Sequence, residues 1–343
     1  MTNSRDLFLS AICGRRPDRV PVGSPTSVAT VEQMERTGAC FPRAHLDGGE
    51  MARLAAGAYE ILGYQAIMPV FSVIQEAAAL GCEIEWGAED QMPTARNHPF
   101  VDPKSVHIPK DFLTCPPIAA VIEAIRILKR EYGEEVAIVG KVMGPWTLSY
   151  HLHGLEDFLI QTVTDPDVIH RFLSALKEVT LLFARAQIEA GVDLLCLADH
   201  ATGDLVSPEC YRDFLLPVHQ EIAGQLACPI VLHICGDTTN RLEYIARTGF
   251  AAFHFDSKVQ TKVAREIVGE RIALVGNINN AETLLGGTEE SVRAEARAAL
   301  QDGVDVLAPE CAVPLRTPVR NLEILREEAR MFRRPERTLD PVP

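Results

Sequence analysis

The run IVLHIC at residues 230–235 is short, apolar and rich in β-branched residues, which is typical of a buried parallel strand. Similar runs recur along the chain, and a longer segment with helical periodicity follows most of them. The eight predicted strands begin near Val20, Tyr64, Val136, Asp193, Ile230, Ala251, Ile272 and Asp305. This alternation predicts βα units arranged around a parallel sheet.

Eight βα units favour an α/β protein that closes into a single (β/α)8 TIM barrel, because an open doubly wound sheet typically has about five to seven strands. The open sheet is the alternative. We expect one domain over residues 1–343, with an N-terminal helical extension and an insertion before the third strand at about residues 87–134. A loop at residues 143–154 is predicted to form a lid or wall of the site, and a loose tail is expected at 334–343.

Composition and charge restrict the class of partner. Hydrophobic residues make up 47% of the 343 residues and charged residues 23%, as in ordinary globular proteins. The formal net charge of −14 disfavours nucleic acid or an anionic membrane as the main partner, because like charges repel. The N-terminus lacks a secretory layout and no stretch is long enough to cross a bilayer, so a cytoplasmic location is expected. The nine scattered cysteines indicate burial or metal binding rather than disulfides.

Two potential metal ligands lie at the end of the fifth predicted strand. His233 and Cys235 are two residues apart, and residues at that spacing point to the same face of a strand. Cys311 follows the eighth predicted strand, so closure of the barrel would carry it toward them. One nitrogen and two thiolates favour Zn²⁺, and three ligands leave the open position of a catalytic site. A His-x-Cys pair alone is more often part of the core than a metal site. The further cysteine at a second strand end favours the interpretation as a metal site.

Polar residues end three further predicted strands. Asp256 is interpreted as a removable fourth ligand, with a helix cap or an acceptor for the neighbouring imidazole as alternatives. Asp199 and His200 either line the substrate pocket or satisfy loop backbone. Asn277 and Asn279 suit a polar ligand, although turns also use asparagine. The two aspartates are therefore candidate catalytic residues, and the histidine and the two asparagines are candidate cofactor-binding residues.

Five segments carry a pattern that extends over most of the chain. They are DRVPV at 18–22, ALGCEI at 79–84, LHICG at 232–236, LVGN at 274–277 and DVLAPEC at 305–311. Together they resemble the uroporphyrinogen decarboxylase superfamily over about residues 7–321, and within it the branch of methylcobamide:coenzyme M methyltransferases. The His-x-Cys pair with a distant cysteine is specific to the zinc-dependent branch.

Two departures from the decarboxylases themselves bear on the reaction. In those enzymes an arginine-bearing segment follows the first strand and holds substrate carboxylates, and an aspartate after the second strand holds pyrrole nitrogens. Here residues 21–27 read PVGSPTS, without arginine, and residues 71–74 read FSVI, without aspartate. The resemblance therefore disfavours decarboxylation of a tetrapyrrole.

The resemblance implies a zinc-dependent methyltransferase that moves a methyl group from methylcobalamin, or from a methylated corrinoid protein, to a thiol, with coenzyme M as the leading acceptor. The corrinoid protein is the expected partner, and a homodimer is compatible with the sequence. Glu76 is a further candidate catalytic residue that orients the acceptor, with an exposed helix acid as the alternative. Other readings of the function are tetrahydrofolate as the acceptor, a porphyrinogen lyase, and a barrel that binds corrinoid without catalysis.

Overall fold

The computed structural model describes residues 3–100 and 102–334. Its main feature is a curled seven-stranded parallel sheet with the strand order β1-β4-β5-β6-β7-β8-β9, accompanied by a two-stranded antiparallel hairpin, β2-β3. The strands are β1 Ala66–Ile67, β2 Ile84–Glu85, β3 Thr94–Ala95, β4 Ala137–Met143, β5 Leu194–Ala198, β6 Ile230–Ile234, β7 Ala252–Phe255, β8 Ala273–Ile278 and β9 Val306–Pro309. The seven strands of the sheet are those predicted second to eighth, and all their residues are buried.

The first predicted strand is present only as a single bridge, between Val22 and Leu307 of β9. On one side of Val22, the amide of Leu307 donates to Pro21 at 3.0 Å and that of Gly23 donates to Leu307 at 3.2 Å. On the other side, the amide of Gln65 donates to the Val22 carbonyl at 2.8 Å. Proline has no N–H for a ladder and glycine weakens a strand, so this segment cannot form a longer strand.

Helices alternate with the strands of the sheet, as the periodicity predicts. Their bounds are α1 Ser4–Ile12, α2 Val31–Thr37, α3 Gly48–Glu60, α4 Gln75–Ala79, α5 Pro116–Tyr132, α6 Pro145–His153, α7 Leu155–Thr164, α8 Pro166–Ala190, α9 Pro208–Cys210, α10 Leu216–Gln225, α11 Leu242–Ile245, α12 Thr261–Val268, α13 Glu289–Asp302 and α14 Val319–Met331. Two π-helical turns follow β5 and β8, at Tyr211–Leu215 and Asn280–Leu285. Helix α1 buries Phe8, Ala11 and Ile12 and contacts β4, β8 and β9.

Two sequence predictions differ from the structure around β4. The insertion before this strand begins earlier than predicted, because the hairpin β2-β3 starts at Ile84, and its second half is the regular helix α5. The loop predicted at residues 143–154 is wrong, because most of it forms helix α6. Pro145 occupies the first helical position, where its missing N–H is not needed, so the Gly-Pro pair begins a helix instead of a loop.

Helix α6 is nevertheless part of the wall above the strand ends. Trp146 is fully buried and packs edge-on against Phe158 of α7, with ring centroids 4.8 Å apart. Within residues 3–100 and 102–334, no helix combines the length and apolar character needed to span a bilayer. The predicted tail lies outside the described residues from 335 onward.

Candidate metal centre

Two strand ends bring the three predicted metal ligands together. His233 lies on β6, Cys235 follows that strand by one residue, and Cys311 follows β9 by two. The Cys235 sulfur lies 3.1 Å from His233 Nε2 and 2.9 Å from the Cys311 sulfur. The Cys311 sulfur lies 3.4 Å from the same imidazole nitrogen. Residues 78 apart in the chain thus meet because parallel strands end at one edge of the sheet.

The contact between the Cys235 and Cys311 sulfurs shifts the pKa values of the two thiols in opposite directions. A hydrogen bond joins the Cys235 and Cys311 sulfurs, and it holds the pKa of Cys311 well below its ordinary value. The same contact, reinforced by burial, raises the pKa of Cys235. A low pKa makes a sulfur available as a thiolate, which is the form that binds metals.

The imidazole of His233 is held among other rings. Its side chain is 2% exposed, and its ring lies 4.6 Å from the ring of His254 on the neighbouring strand β7. Within the part of the chain that the structure describes, His233 Nδ1 has no hydrogen-bond partner. Burial lowers the pKa of His254 to about 3, so this ring is neutral, and its Nε2 lies 2.7 Å from the Pro309 carbonyl. His254 therefore ties β7 to the end of β9 just before Cys311, a role that the sequence analysis missed.

A second residue missed by the sequence analysis is the neighbour of Cys311. One carboxylate oxygen of Glu310 accepts from the Ser257 amide at 2.9 Å, and the other accepts from the Asn280 amide at 2.8 Å. These bonds attach the end of β9 to the segments that follow β7 and β8. Glu310 thereby fixes the backbone from which Cys311 projects.

Asp256 lies at the rim of the cluster and holds its backbone. Its carboxylate accepts from the amide of Gly236 at 2.8 Å and from that of Lys258 at 2.9 Å. The first bond anchors the residue after Cys235, and the second forms a turn. The role of Asp256 as a fourth metal ligand stays a prediction, and its observed contacts are with backbone and not with the His233 ring.

An Asp256→Asn variant is expected to bind zinc about 10- to 100-fold more weakly, because one of its two amide contacts is replaced by a clash between donors. Competition with a chromophoric chelator measures the change. Asp237→Asn is the matched control, because the Asp237 carboxylate also accepts a backbone amide, from Thr239 at 2.9 Å, whereas the Gly236 amide donates to Asp256. Equal affinity in the Asp256→Asn variant and the unmodified protein would contradict this orienting role.

Asp199 and His200 follow β5 and differ in their surroundings. Asp199 is 1% exposed; its carboxylate accepts from the Thr147 amide at 2.7 Å and lies 3.1 Å from His219 Nε2. Both oxygens are therefore engaged inside the protein. His200 is half-buried and lines the cleft beside the cluster, and burial lowers its pKa, with the nearby imidazole of His233 adding to the effect. The proposed catalytic and cofactor-binding roles of the two residues stay predictions.

The two candidate asparagines follow β8 and bind their own chain. The Asn277 amide nitrogen donates to the Val259 carbonyl at 3.0 Å, and its oxygen accepts from the Thr261 hydroxyl at 2.8 Å. The Asn279 oxygen caps a π-helical turn, accepting from the Glu282 amide at 2.7 Å. These contacts are those expected of turn residues. Cofactor binding by either side chain remains a prediction.

Glu76 and Lys141 are ionisable groups buried in the interior. Glu76 on α4 has no exposed surface, so its interpretation as an exposed helix acid is wrong. Its carboxylate accepts from the Met143 amide at 2.8 Å, and burial raises its pKa to about 7. Lys141 lies in the middle of β4 and is 3% exposed. The sequence analysis did not select it, although a lysine inside the apolar run VAIVGKV is a detectable signal.

A cleft of about 390 Å³ opens beside the cluster at the carboxyl ends of the strands. Of the three candidate ligands it reaches Cys235, and Asp256 and His200 also line it. The rest of its lining comes from α6, the start of α7 and the segments after β5, β6 and β7: Tyr150, Leu155, Thr202, Asp204, Leu205, Gly236 and Lys258. An open, partly apolar cleft at this edge is the usual position of a ligand site in parallel α/β proteins.

The cluster fits a zinc ion by its donor chemistry. One imidazole nitrogen and two sulfurs, all within 3.4 Å of one another, can share an ion whose bonds to such atoms are about 2.0 to 2.3 Å long. Among the residues that the structure describes, a metal ion could be held by one cluster of His, Cys, Asp or Glu side chains. It consists of His233, Cys235 and Cys311. The fold and this cluster define an α/β protein with a candidate transition-metal centre at the carboxyl edge of its sheet.

Comparison with known proteins places the chain in a family. Residues 3–332 match Uroporphyrinogen decarboxylase (URO-D), and the chain belongs to that family. It is 36% identical to the methylcobamide:CoM methyltransferase MtaA of Methanosarcina barkeri over 323 residues, which cover 93% of this chain and 95% of the relative. It is 34% identical to a methylated-thiol–coenzyme M methyltransferase of Methanosarcina mazei, over 92% of this chain and 85% of the relative. The resemblance to the methyltransferase branch is thereby confirmed.

A solved structure gives the same result. A methyltransferase from Methanosarcina mazei superposes with a TM-score of 0.93 at 34% sequence identity, covering 96% of this chain and 99% of that one. The similarity of fold therefore extends over nearly the whole chain.

Proposed function

We propose that this chain transfers a methyl group from a methylated corrinoid to the thiol of coenzyme M, at a zinc ion held by His233, Cys235 and Cys311. The observation that carries the proposal is the convergence of these three side chains within 3.4 Å at the end of the sheet. The activities of the two methyltransferase relatives support the choice of donor and acceptor.

The chemistry follows from charge. Bound zinc stabilises an incoming thiol as its thiolate, which is the nucleophilic form of sulfur. His233 and the thiolates of Cys235 and Cys311 would balance the charge of a divalent cation, so an attacking sulfur would stay nucleophilic. That sulfur would bond to the methyl carbon while the cobalt–carbon bond breaks and its electron pair stays on the corrinoid. His254 and Glu310 hold the end of β9, and Asp256 holds the Gly236 backbone, so the donor atoms stay in place during the reaction.

The corrinoid approaches from the open side of the cleft. Leu155 and Leu205 line the cleft and are 41% and 42% exposed, and on the same helix as Leu155, Ile160 is 53% and Val163 is 83% exposed. Exposed apolar side chains around a cleft suit a large, partly apolar ligand or a protein that carries it. We propose a methylated corrinoid protein as the partner at this surface.

The proposal also includes closure of the sheet into a barrel, the cellular location and the oligomeric state. The segment around Val22 hydrogen-bonds to Leu307 on one side and to Gln65 on the other, which supports closure of the sheet into a (β/α)8 barrel with α1 as an N-terminal extension. We propose a single domain, a cytoplasmic location and, as an oligomeric state to be measured, a homodimer.

Turnover of methylcobalamin with different acceptors tests the function. Coenzyme M is expected to give the fastest demethylation, homocysteine a slower one, and tetrahydrofolate none, because a pterin nitrogen gains nothing from binding to zinc. The change in the corrinoid absorption spectrum measures the rate. Removal of zinc by a chelator should abolish thiol methylation, and restored zinc should recover it. Faster turnover with tetrahydrofolate than with either thiol would contradict the proposal.

A further inference from the structure

The backbone that follows the candidate ligands of β6 packs closely against the loop that follows β5. Gly236 has a left-handed φ of 80°, and a Cβ added to it would lie 2.1 Å from the Thr202 hydroxyl oxygen. The amide of Gly203 donates to the Asp237 carbonyl at 3.0 Å. The loop at residues 201–206 therefore lies against the chain as it leaves the metal cluster, and a side chain in place of the glycine after Cys235 would push the two apart.

The same loop forms one wall of the cleft. Thr202, Asp204 and Leu205 line the cleft, as does His200 just before them. Leu205 is 42% exposed, so it presents an apolar surface to a ligand that enters from the open side. The position of loop 201–206 therefore sets the shape of the cleft on the side where the proposed function places the methyl donor.

Arg241 holds both ends of this loop. Its side chain has no exposed surface, which is rare for a charged residue. Its Nη1 donates to the Ala201 carbonyl at 2.7 Å, and its Nη2 donates to the Val206 carbonyl. The planar guanidinium presents these donors in a fixed geometry, so it sets the distance between the first and last residues of the loop.

The guanidinium of Arg241 is buried without a carboxylate among its described hydrogen-bond partners. Its Nε donates to the Asn240 side-chain oxygen at 3.1 Å, and its other described bonds go to the two loop carbonyls. Burial lowers the pKa of Arg241, which reflects the cost of placing a charge in the interior. A well-packed apolar side chain would stabilise the interior at least as well, so the charge indicates a requirement to fix the loop carbonyls.

We propose that Arg241 is a positioning residue that fixes loop 201–206 as the wall of the cleft against which the methyl donor binds. This inference rests on the proposed function, because it concerns the donor of that reaction. The arginine acts through the loop, since a wall that is already fixed does not have to be ordered when the donor binds. The donor class is a corrinoid, a wide ring whose methyl group has to come in line with the attacking sulfur.

Binding of methylcobalamin in the absence of any thiol tests the inference. Arg241→Lys keeps the charge but loses the planar pair of donors, so the loop should occupy its binding position for a smaller part of the time. If that part falls to about one tenth, the apparent Kd rises about 10-fold, because only the ordered form binds. Equilibrium dialysis with detection by the corrinoid absorbance measures the Kd.

A second variant displaces the loop without removing a buried charge. Gly203 is exposed, and a Cβ added to it would lie 2.3 Å from the Asp237 carbonyl oxygen. Gly203→Ala should therefore push the loop away from the segment after β6 and raise the Kd for methylcobalamin about 10-fold as well. This variant keeps the test open if Arg241→Lys does not fold.

Two controls separate this role from a general effect on folding. Arg265 also donates to backbone carbonyls, those of Gly269 at 2.6 Å and Gly303 at 2.9 Å, but it does so at the edge of the sheet opposite to the cluster. Arg265→Lys should therefore leave the Kd for methylcobalamin unchanged. Gly224→Ala is the control for the glycine, because a Cβ added there would meet no atom of the described residues within 4 Å.

Steady-state turnover then separates the two substrates. In Arg241→Lys and Gly203→Ala the KM for methylcobalamin should rise about 10-fold. The KM for coenzyme M and the zinc content should stay as in the unmodified protein. A variant that is merely unstable would lose active enzyme, which lowers kcat and leaves both KM values unchanged.

The inference is overturned if the unmodified protein does not bind methylcobalamin, or if Arg241→Lys and Gly203→Ala bind it as tightly as the unmodified protein does. A loss confined to kcat, with an unchanged KM for methylcobalamin, would overturn it too. Methylcobalamin binding that weakens in both variants, without methylation of any thiol by the unmodified protein, would instead contradict the proposed function and leave the role of Arg241 supported.

Discussion

A Cys311→Ala variant is expected to lose most of its zinc and its methyl transfer activity. Removal of one sulfur leaves His233 and Cys235 as the remaining candidate ligands, and two ligands from a single strand end hold a metal poorly. Even changes in residues that only orient a ligand cost about 10- to 100-fold in affinity, so loss of the ligand itself should exceed about 100-fold. Elemental analysis of the purified variant and the rate of methylcobalamin demethylation measure both effects.

Cys228→Ala is a matched control for this change. Cys228 is half-buried like Cys311 but precedes β6, at the opposite end of the strand from the cluster. This variant should keep about one zinc per chain, so a shared loss would point to a general effect of removing a cysteine. Full zinc content in Cys311→Ala would exclude the proposed centre, because Cys311 supplies the one ligand that does not come from β6.

An Asp305→Ala variant is expected to lower the free energy of unfolding by about 3 to 5 kcal/mol, the cost of breaking a buried ion pair from one side. Asp305 is 1% exposed, ion-pairs with Arg265 and accepts from the Leu274 amide at 2.9 Å. Arg16 lies 3.3 Å from the same carboxylate. The substitution leaves Arg265 and Arg16 without their buried carboxylate partner. It also removes the acceptor of the Leu274 amide, which joins β8 to the start of β9. Chemical denaturation monitored by circular dichroism measures the loss.

Glu243→Ala removes a comparable contact from the surface. Glu243 and Arg271 form an ion pair at 2.8 Å, but their side chains are 61% and 44% exposed. Exposed ion pairs contribute little to stability because solvent screens them, so this variant should unfold almost like the unmodified protein. Because Asp305 lies at the start of β9 and Cys311 beyond its end, folded Asp305→Ala should still bind zinc. Equal stability of the two variants would contradict the assigned role of Asp305.

The strands were predictable because burial on both faces leaves a continuous apolar run in the sequence. The prediction failed where two signals compete, as in the Gly144-Pro145 pair. A Gly-Pro pair interrupts a helix when it lies in the helix interior, but it begins a helix when the proline occupies the first turn. Which of these occurs depends on whether a following residue such as Trp146 is buried. The first predicted strand is shorter than expected, because Pro21 offers no amide for a ladder of hydrogen bonds.

The three residues that converge were predicted from the sequence, but the residues that hold them in place were not. His233, Cys235 and Cys311 were selected because they end strands and have chemistry that few other side chains share. His254 and Glu310 carry no such signal, because an imidazole inside a strand and an acid after one are common in structural roles. Their function depends on which backbone groups lie opposite, and these come from other strands.

The sequence by itself determined the βα alternation, the family resemblance and the identity of the sulfur and nitrogen donors, because periodicity and side-chain chemistry are local properties. Tertiary structure alone decided that these donors meet within 3.4 Å, and that Glu76 and Lys141 are buried in the interior. Burial and register arise only when distant strands pair, and they set the pKa of a group and the partners that it lacks.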